Sequence, residues 1–351
     1  MNTSRKSPVS AFITTITGWR GLLLILGLAL AWHVLEDMPW GEAWGSLVGI
    51  GPYALLILLV LNLVMLPLMT ARWWQISRTL GSPVGIIPLC AYRCAANAIN
   101  YLSPGPHFGG EPLSVYLLHK QQGITLTSAT TSVILDRLLE LLASVVVLII
   151  GFVMLTATDS SPFILGWTLP LVIALLAVLI TFLIALFTSM HPLSRIIARC
   201  KNMLFGGDEK TSGTPGPWLA NIIQGETLAA SLARQHPRPF LLANLFSLGQ
   251  WLGVFIDFWL MAAFMGHPLS LLQLTAVVMA SRLAFLTPLP AGLGVLEATL
   301  PWLTAVLGLG GSLGLSLCML IRLRDILFSV AGLGLAMKYL TCPGKASTVC
   351  R

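Results

Sequence analysis

Charge is what this sequence has least of. Of 351 residues only 9% are Asp, Glu, Lys or Arg, against 56% apolar ones, and the mean hydropathy is +0.86. A soluble domain carries about a quarter charged residues, so a water-facing surface over most of this chain is excluded. Catalytic and metal signatures are missing too. There is no Ser–His–Asp order, no phosphate loop and no HExxH. The six cysteines (Cys90, Cys94, Cys200, Cys318, Cys342, Cys350) form no CxxC, and no histidine is spaced to complete a zinc site. Cys90 and Cys94, one helical turn apart, read as small packing residues. No metal, cofactor or catalytic residue is expected. His107 is the one histidine inside a broken apolar segment, and it reads as a local contact. The net charge of +7 does not call for nucleic acid, because the bases gather in the ends and loops, beside an anionic leaflet.

What is present is apolar length. A bilayer core takes about 20 apolar residues of helix. Six stretches qualify: Trp19–Leu35, Leu47–Met69, Ile124–Leu155, Phe163–Phe187, Phe240–Phe264 and Leu313–Leu340. Arg5, Lys6 and Arg20 before Gly21–Leu35 resemble a signal-peptide start. No small-residue cleavage site precedes Glu36–Asp37, so the segment reads as a retained first helix. Loop charges set the orientation. The N-terminus is basic and reads as cytoplasmic. The loop with Glu36, Asp37 and Glu42 lies outside, and Arg72 and Arg78 bring the chain back in. Asp159 lies outside. The connection 189–239, with Arg195, Arg199, Lys201, Lys210, Arg234 and Arg238, lies inside, as does the tail with Lys338, Lys345 and Arg351.

Two further apolar stretches are broken. Val84–Leu118 contains SPGPHFGGE, with Pro104, Pro106, Gly109, Gly110 and Glu111. Leu269–Leu309 contains TPLPAGLGVLE, with Pro288, Pro290, Gly292, Gly294 and Glu297. The loop charges require the first to start and finish inside, and the second to start and finish outside. The spacing also repeats. Arg93 precedes the first PxP and Arg137 lies 26 residues after Glu111; Arg282 precedes the second, and Arg322 and Arg324 lie 25 and 27 after Glu297. The expectation is an inverted-topology repeat of two re-entrant or broken hairpins. The competing reading makes each PxP a loop between two full spans.

Proline removes a backbone donor and glycine admits positive φ. Broken backbone at membrane depth is tolerated only inside protein or beside a wet cavity. Asn97 and Asn100, before the first PxP, are placed to satisfy freed backbone groups or to bind ligand. The apolar segments also hold Arg93, Arg137, Arg282, Arg322 and Arg324 against Glu111, Asp136, Glu140, Asp257, Glu297 and Asp325, five cations and six anions. Each buried charge costs about 2.5–3.5 kcal/mol or more, so these groups must pair or stay hydrated. Arg137 with Glu140, and Arg322 with Asp325, are spaced to meet on one helix face, and Asp257 reads as a partner for one of the arginines. A guanidinium stays charged when buried and its planar fork suits phosphate. Interior arginines therefore point to a phospholipid head group, with the glutamates balancing charge or carrying a proton.

Asparagine before PGPxxGGE, a DR on the next helix, and PxPxGxGxxE in the second half together resemble the lysylphosphatidylglycerol synthase transmembrane region. That region is the flippase-like domain of the multiple peptide resistance factor, and it also occurs alone in bacterial and archaeal membrane proteins. The resemblance runs from about Trp19 to Lys338. It implies a lipid translocator with re-entrant elements, acting on aminoacylated, other anionic or polyprenyl lipids in a bacterial inner membrane. The aminoacyl-transferring domain of the longer relatives has no counterpart here.

The expected fold is an all-α polytopic bundle of about six spans plus two broken hairpins. Residues 1–18 would form a cytoplasmic N-terminus, 19–340 one transmembrane domain with repeat halves 19–156 and 163–340, and 341–351 a cytoplasmic tail. Membrane lipids are the expected partners, with a lipid-modifying enzyme or soluble protein at the cytoplasmic connection as a further one. The alternatives are an accessory subunit of a lipid-modifying system and an intramembrane lipid-modifying enzyme.

Overall fold

The computed structural model describes residues 40–82, 84–103, 109–158, 237–287 and 289–341, with a few isolated positions beside them. The expected N-terminal span, the span Phe163–Phe187, most of the connection 189–239 and the tail lie outside the described residues. So do Pro104, Pro106, His107 and Pro288. Among the described residues every regular element is helical: α1 (Trp40–Val48), α2 (Pro52–Thr79), α3 (Ile86–Leu102), α4 (Glu111–Gln122), α5 (Leu126–Thr158), α6 (Pro237–Phe264), α7 (Leu271–Leu286), a 3-10 turn (Pro290–Gly292), α8 (Val295–Val306) and α9 (Gly311–Thr341).

Local chemistry sets the ends. α2 opens on Pro52, whose missing N–H is no loss in a first turn. α7 opens on a capping box: Ser270 Oγ accepts from the Gln273 N–H at 3.3 Å, and Gln273 Oε1 accepts from the Ser270 N–H at 3.0 Å. α6 stops at Gly266 (φ 83°), whose N–H reaches Ala263 O at 3.0 Å while the His267 N–H reaches Ala262 O at 3.0 Å.

Both interrupted stretches are broken where the prolines and glycines cluster. The arms are 17 and 12 residues long in the first (α3, α4) and 16 and 12 in the second (α7, α8). α2 and α6 are long and apolar enough to cross a membrane. α5 and α9 are longer still, at 33 and 31 residues, and each carries a charge cluster. Large apolar side chains stay exposed along α2 (Leu56, Leu63, Val64), α6 (Leu245, Leu248, Leu252) and α9 (Ile326, Leu327, Val330). Such faces are at home in hydrocarbon, not water.

The chain forms two compact units. One comprises Met1–Val60, Cys94–Glu111 and Phe255–Met337, the other Leu61–Arg93, Pro112–Val254 and Lys338–Arg351. In the first, α7 packs on α8. Gly314 of α9 lies against Leu300 and Thr304 of α8, and Gly332 against the Cys94 carbonyl and Ala98 of α3. Small residues at such crossings let helix backbones approach closely. In the second, Ile76, Leu135, Leu139 and Ala243 join α2, α5 and α6 in one apolar cluster. There the end of α4 is tied by Gln122 donating to Tyr92 Oη at 2.8 Å and Gln121 donating to Tyr339 O at 2.7 Å.

Candidate functional site

Both units hold buried ion pairs among their described residues. In the second unit they are centred on Asp136 of α5, which is 3% exposed. Arg72 of α2 donates from Nε to Asp136 Oδ1 at 2.7 Å, and Arg93 of α3 donates from Nη2 to Asp136 Oδ2. Arg72 also reaches Ser247 Oγ at 3.1 Å and Glu140 Oε2 at 3.3 Å. Arg137 donates to the same Glu140 oxygen at 2.6 Å, so the i,i+3 pair expected from spacing is formed. The Trp73 ring lies under Arg93, with its centroid 5.5 Å from the guanidinium carbon. That contact adds a cation–π attraction.

Arg72 is the residue that sequence reasoning missed. It was expected in a cytoplasmic turn, but α2 continues to Thr79 and buries it to 1% exposure. A signal existed: five cations against six anions left one carboxylate short of a partner. Arg72 brings the count to six and six.

In the first unit both broken segments are stitched by side chains. At the first break, Asn100 Oδ1 accepts from the Gly110 N–H at 2.6 Å and its Nδ2 donates to Glu111 Oε1 at 3.4 Å. Asn100 thus replaces a helical backbone bond that the chain has lost. Asn97 lies on the exposed face of α3 and makes none of these bonds. Gly110 sits so close to the Ala96 backbone that a Cβ would overlap it, and one on Gly109 would overlap Ser103.

At the second break the backbone passes through the left-handed region at Ala291 (φ 50°), Gly292 (φ 63°) and Gly294 (φ 82°). Glu297, three residues into α8, accepts from the Gly294 N–H at 2.8 Å. Its other oxygen takes Arg322 Nε at 2.8 Å and Nη2 at 2.7 Å. Arg322 Nη1 then donates to Ala291 O at 2.7 Å and to Tyr101 Oη at 3.4 Å. Tyr101 ends the arm before the first break and Ala291 lies in the second, so one guanidinium holds both.

The expected Arg322–Asp325 pair is not formed. Asp325 accepts from Arg324 at 2.9 Å, and Arg324 also donates to Asp257 of α6 at 2.6 Å. Arg322 turns instead to Glu297 and the broken carbonyls, which offer more acceptors than one carboxylate a turn away. Asp257 does partner an arginine, and it is Arg324. Arg282 lies half-buried near the end of α7, before the second break.

A model of the family described as the lysylphosphatidylglycerol synthase transmembrane region matches residues 19–332. The chain belongs to that family. The matched span takes in every described element of the lysylphosphatidylglycerol synthase transmembrane region except the last turns of α9. A UPF0104 membrane protein of Methanothermobacter thermautotrophicus is 33% identical over 172 residues, 48% of this chain and 49% of that protein. The match therefore spans about half of that relative's length. No solved structure matches the chain. Family membership, the all-helical fold and the exposed apolar helices make this a membrane protein.

Proposed function

We propose that this chain is a lipid translocator. It binds a lipid by a phosphate-bearing head group and carries that head group past the hydrocarbon along a polar element built from two inverted, re-entrant helix pairs. The observation that carries this reading is the convergence of both broken segments on Arg322 within one compact unit. Arm length supports it. The two second arms have 12 residues each, about 18 Å of helix, against a hydrocarbon core of about 30 Å. Such an arm turns back more readily than it crosses. The family description names a lipid product, and a lipid substrate is the natural extension.

Within this reading Arg282 and Arg322 of the first unit, and Arg93 and Arg137 of the second, are phosphate contacts. Glu111 and Glu297 balance charge or carry a proton. Asn100, Asp136 and Asp325 position these groups. The protein resides in a bacterial inner membrane with both termini cytoplasmic, and its partners are the membrane lipids.

The test is lipid exchange in proteoliposomes, with a fluorescent phosphatidylglycerol reduced from outside. The wild-type chain is expected to expose inner-leaflet lipid well above protein-free vesicles. An Arg137→Ala variant is expected to lose about tenfold or more, the worth of one charge-assisted hydrogen bond. Wild-type vesicles that exchange no faster than empty ones would remove translocation as the function.

A further inference from the structure

We infer that Tyr101 is a gating residue. Its bond to Arg322 is the line along which the two broken segments part, while each segment stays stitched within itself. This gate presupposes the translocation reading above and names the place where the polar element yields.

The strength of each bond decides which one gives way. The second break is held tightly. Glu297 accepts from the Gly294 N–H at 2.8 Å and from two nitrogens of Arg322 at 2.8 and 2.7 Å, and Arg322 Nη1 donates to Ala291 O at 2.7 Å. Charge-assisted bonds of this kind are about twice as strong as neutral ones, and parting a buried carboxylate from its only countercharge is strongly unfavourable. Arg322 therefore travels with the second segment. The first break is stitched just as locally, by Asn100 Oδ1 accepting from the Gly110 N–H at 2.6 Å. The grip of Arg322 on the first segment is of another order. Tyr101 Oη is an uncharged acceptor, and it lies 3.4 Å from Nη1, beyond the usual range for such a bond.

Parting at Tyr101 leaves the rest of the network in place. Nη1 keeps its closer acceptor, Ala291 O, and the guanidinium charge keeps Glu297. The tyrosine is only half-buried, so its hydroxyl can exchange Arg322 for water.

A fulcrum for the motion lies further along α9. At Gly332 the α9 backbone touches α3 so closely that a Cβ would sit 2.3 Å from Cys94 O and 2.9 Å from the Ala98 Cβ. The ten residues from Arg322 to Gly332 amount to about 15 Å of helix. A small rotation at the crossing thus swings the Tyr101 end of α3 away from Arg322 and breaks a bond that is already long. Small shifts of packed helices are an ordinary route of switching.

The experiment uses the full chain in proteoliposomes, with its native cysteines replaced and spin labels on Ser103→Cys and Thr287→Cys, which flank the joint. Distances between the labels, measured by pulsed electron paramagnetic resonance, are expected to fall into a closed and an open population. Tyr101→Phe removes only the hydroxyl. It is expected to raise the open-to-closed ratio about threefold, the worth of a hydrogen bond at the weak end of the range, and to speed lipid exchange by a similar factor. The unfolding temperature should move by no more than about 2 °C. A hydroxyl that contacts the ligand, or that only packs, would give slower or unchanged exchange.

A distance distribution that Tyr101→Phe leaves as it is overturns the inference. So does a much lower unfolding temperature, because the bond would then hold the fold and not a gate. Unchanged or slower exchange in the variant, where the wild type exchanges lipid, overturns it too. The same vesicles keep the two readings apart. Populations that respond to Tyr101→Phe in a chain that exchanges no lipid leave the gate standing and remove translocation. Wild-type exchange with distances that do not respond does the reverse.

Discussion

Arg322 illustrates what a single buried cation does when backbone is broken around it. Its nitrogens satisfy the Glu297 carboxylate, the Ala291 carbonyl and the Tyr101 hydroxyl, groups from two segments far apart in the chain. These contacts are unequal in weight. Removing the guanidinium leaves Glu297, 7% exposed, as a buried carboxylate without its countercharge, a loss of about 3–5 kcal/mol. Arg322→Ala is therefore expected to unfold well below the wild type in detergent. Arg322→Lys keeps the charge but loses the planar fork, and should fall between the two. Tyr101→Phe removes one long hydrogen bond and should change stability by no more than about 1 kcal/mol. Thermal unfolding of the purified variants ranks them. An Arg322→Ala chain as stable as the wild type would show that Glu297 finds its countercharge elsewhere.

At the scale of elements, the two breaks depend on glycines for different reasons. Gly110 has no room, since its Cα faces the Ala96 backbone, which cannot move aside as a side chain can. Gly292 has neither room nor an ordinary conformation: φ is 63°, and a Cβ would sit 2.7 Å from Ala284 O. Gly110→Ala and Gly292→Ala should each destabilise by about 1–3 kcal/mol. Gly334, in α9, faces open space, and Gly334→Ala should raise helix stability by about 0.5–1 kcal/mol. Equal unfolding temperatures for all three would refute this division. The breaks were legible in the sequence because proline and glycine act locally, and so was the Arg137–Glu140 pair, whose spacing fixes its geometry. Long-range choices were not legible. Spacing allowed Arg322 to meet Asp325, but acceptors 25 and 31 residues away in the chain outcompete it. Arg72 looked like a loop charge because nothing local says that α2 runs on past it. Its partners on α5 and α6 are visible only once the helices pack.

For the whole molecule, the proposed function depends on the side from which each break is reached. The proposed inverted topology opens Ser103, beside the first break, toward the cytoplasm, and Thr287, beside the second, toward the outside. Both residues lie in the same compact unit, and Tyr101 and Ala291 next to them share Arg322. On that topology the Arg322–Glu297 network, which touches both broken segments, lies between the approaches from the two membrane faces. A polar head group would then have a short barrier to pass, with the dense hydrocarbon replaced by exchangeable hydrogen bonds. The decisive experiment uses Ser103→Cys and Thr287→Cys in a chain whose native cysteines have been replaced. Each is labelled with a membrane-impermeant maleimide in right-side-out and in inverted vesicles. Ser103→Cys is expected to react only in inverted vesicles and Thr287→Cys only in right-side-out ones. Labelling of both from one face would mean that the two broken helix pairs enter from the same side, and the inverted repeat would have to be given up together with the short barrier it implies.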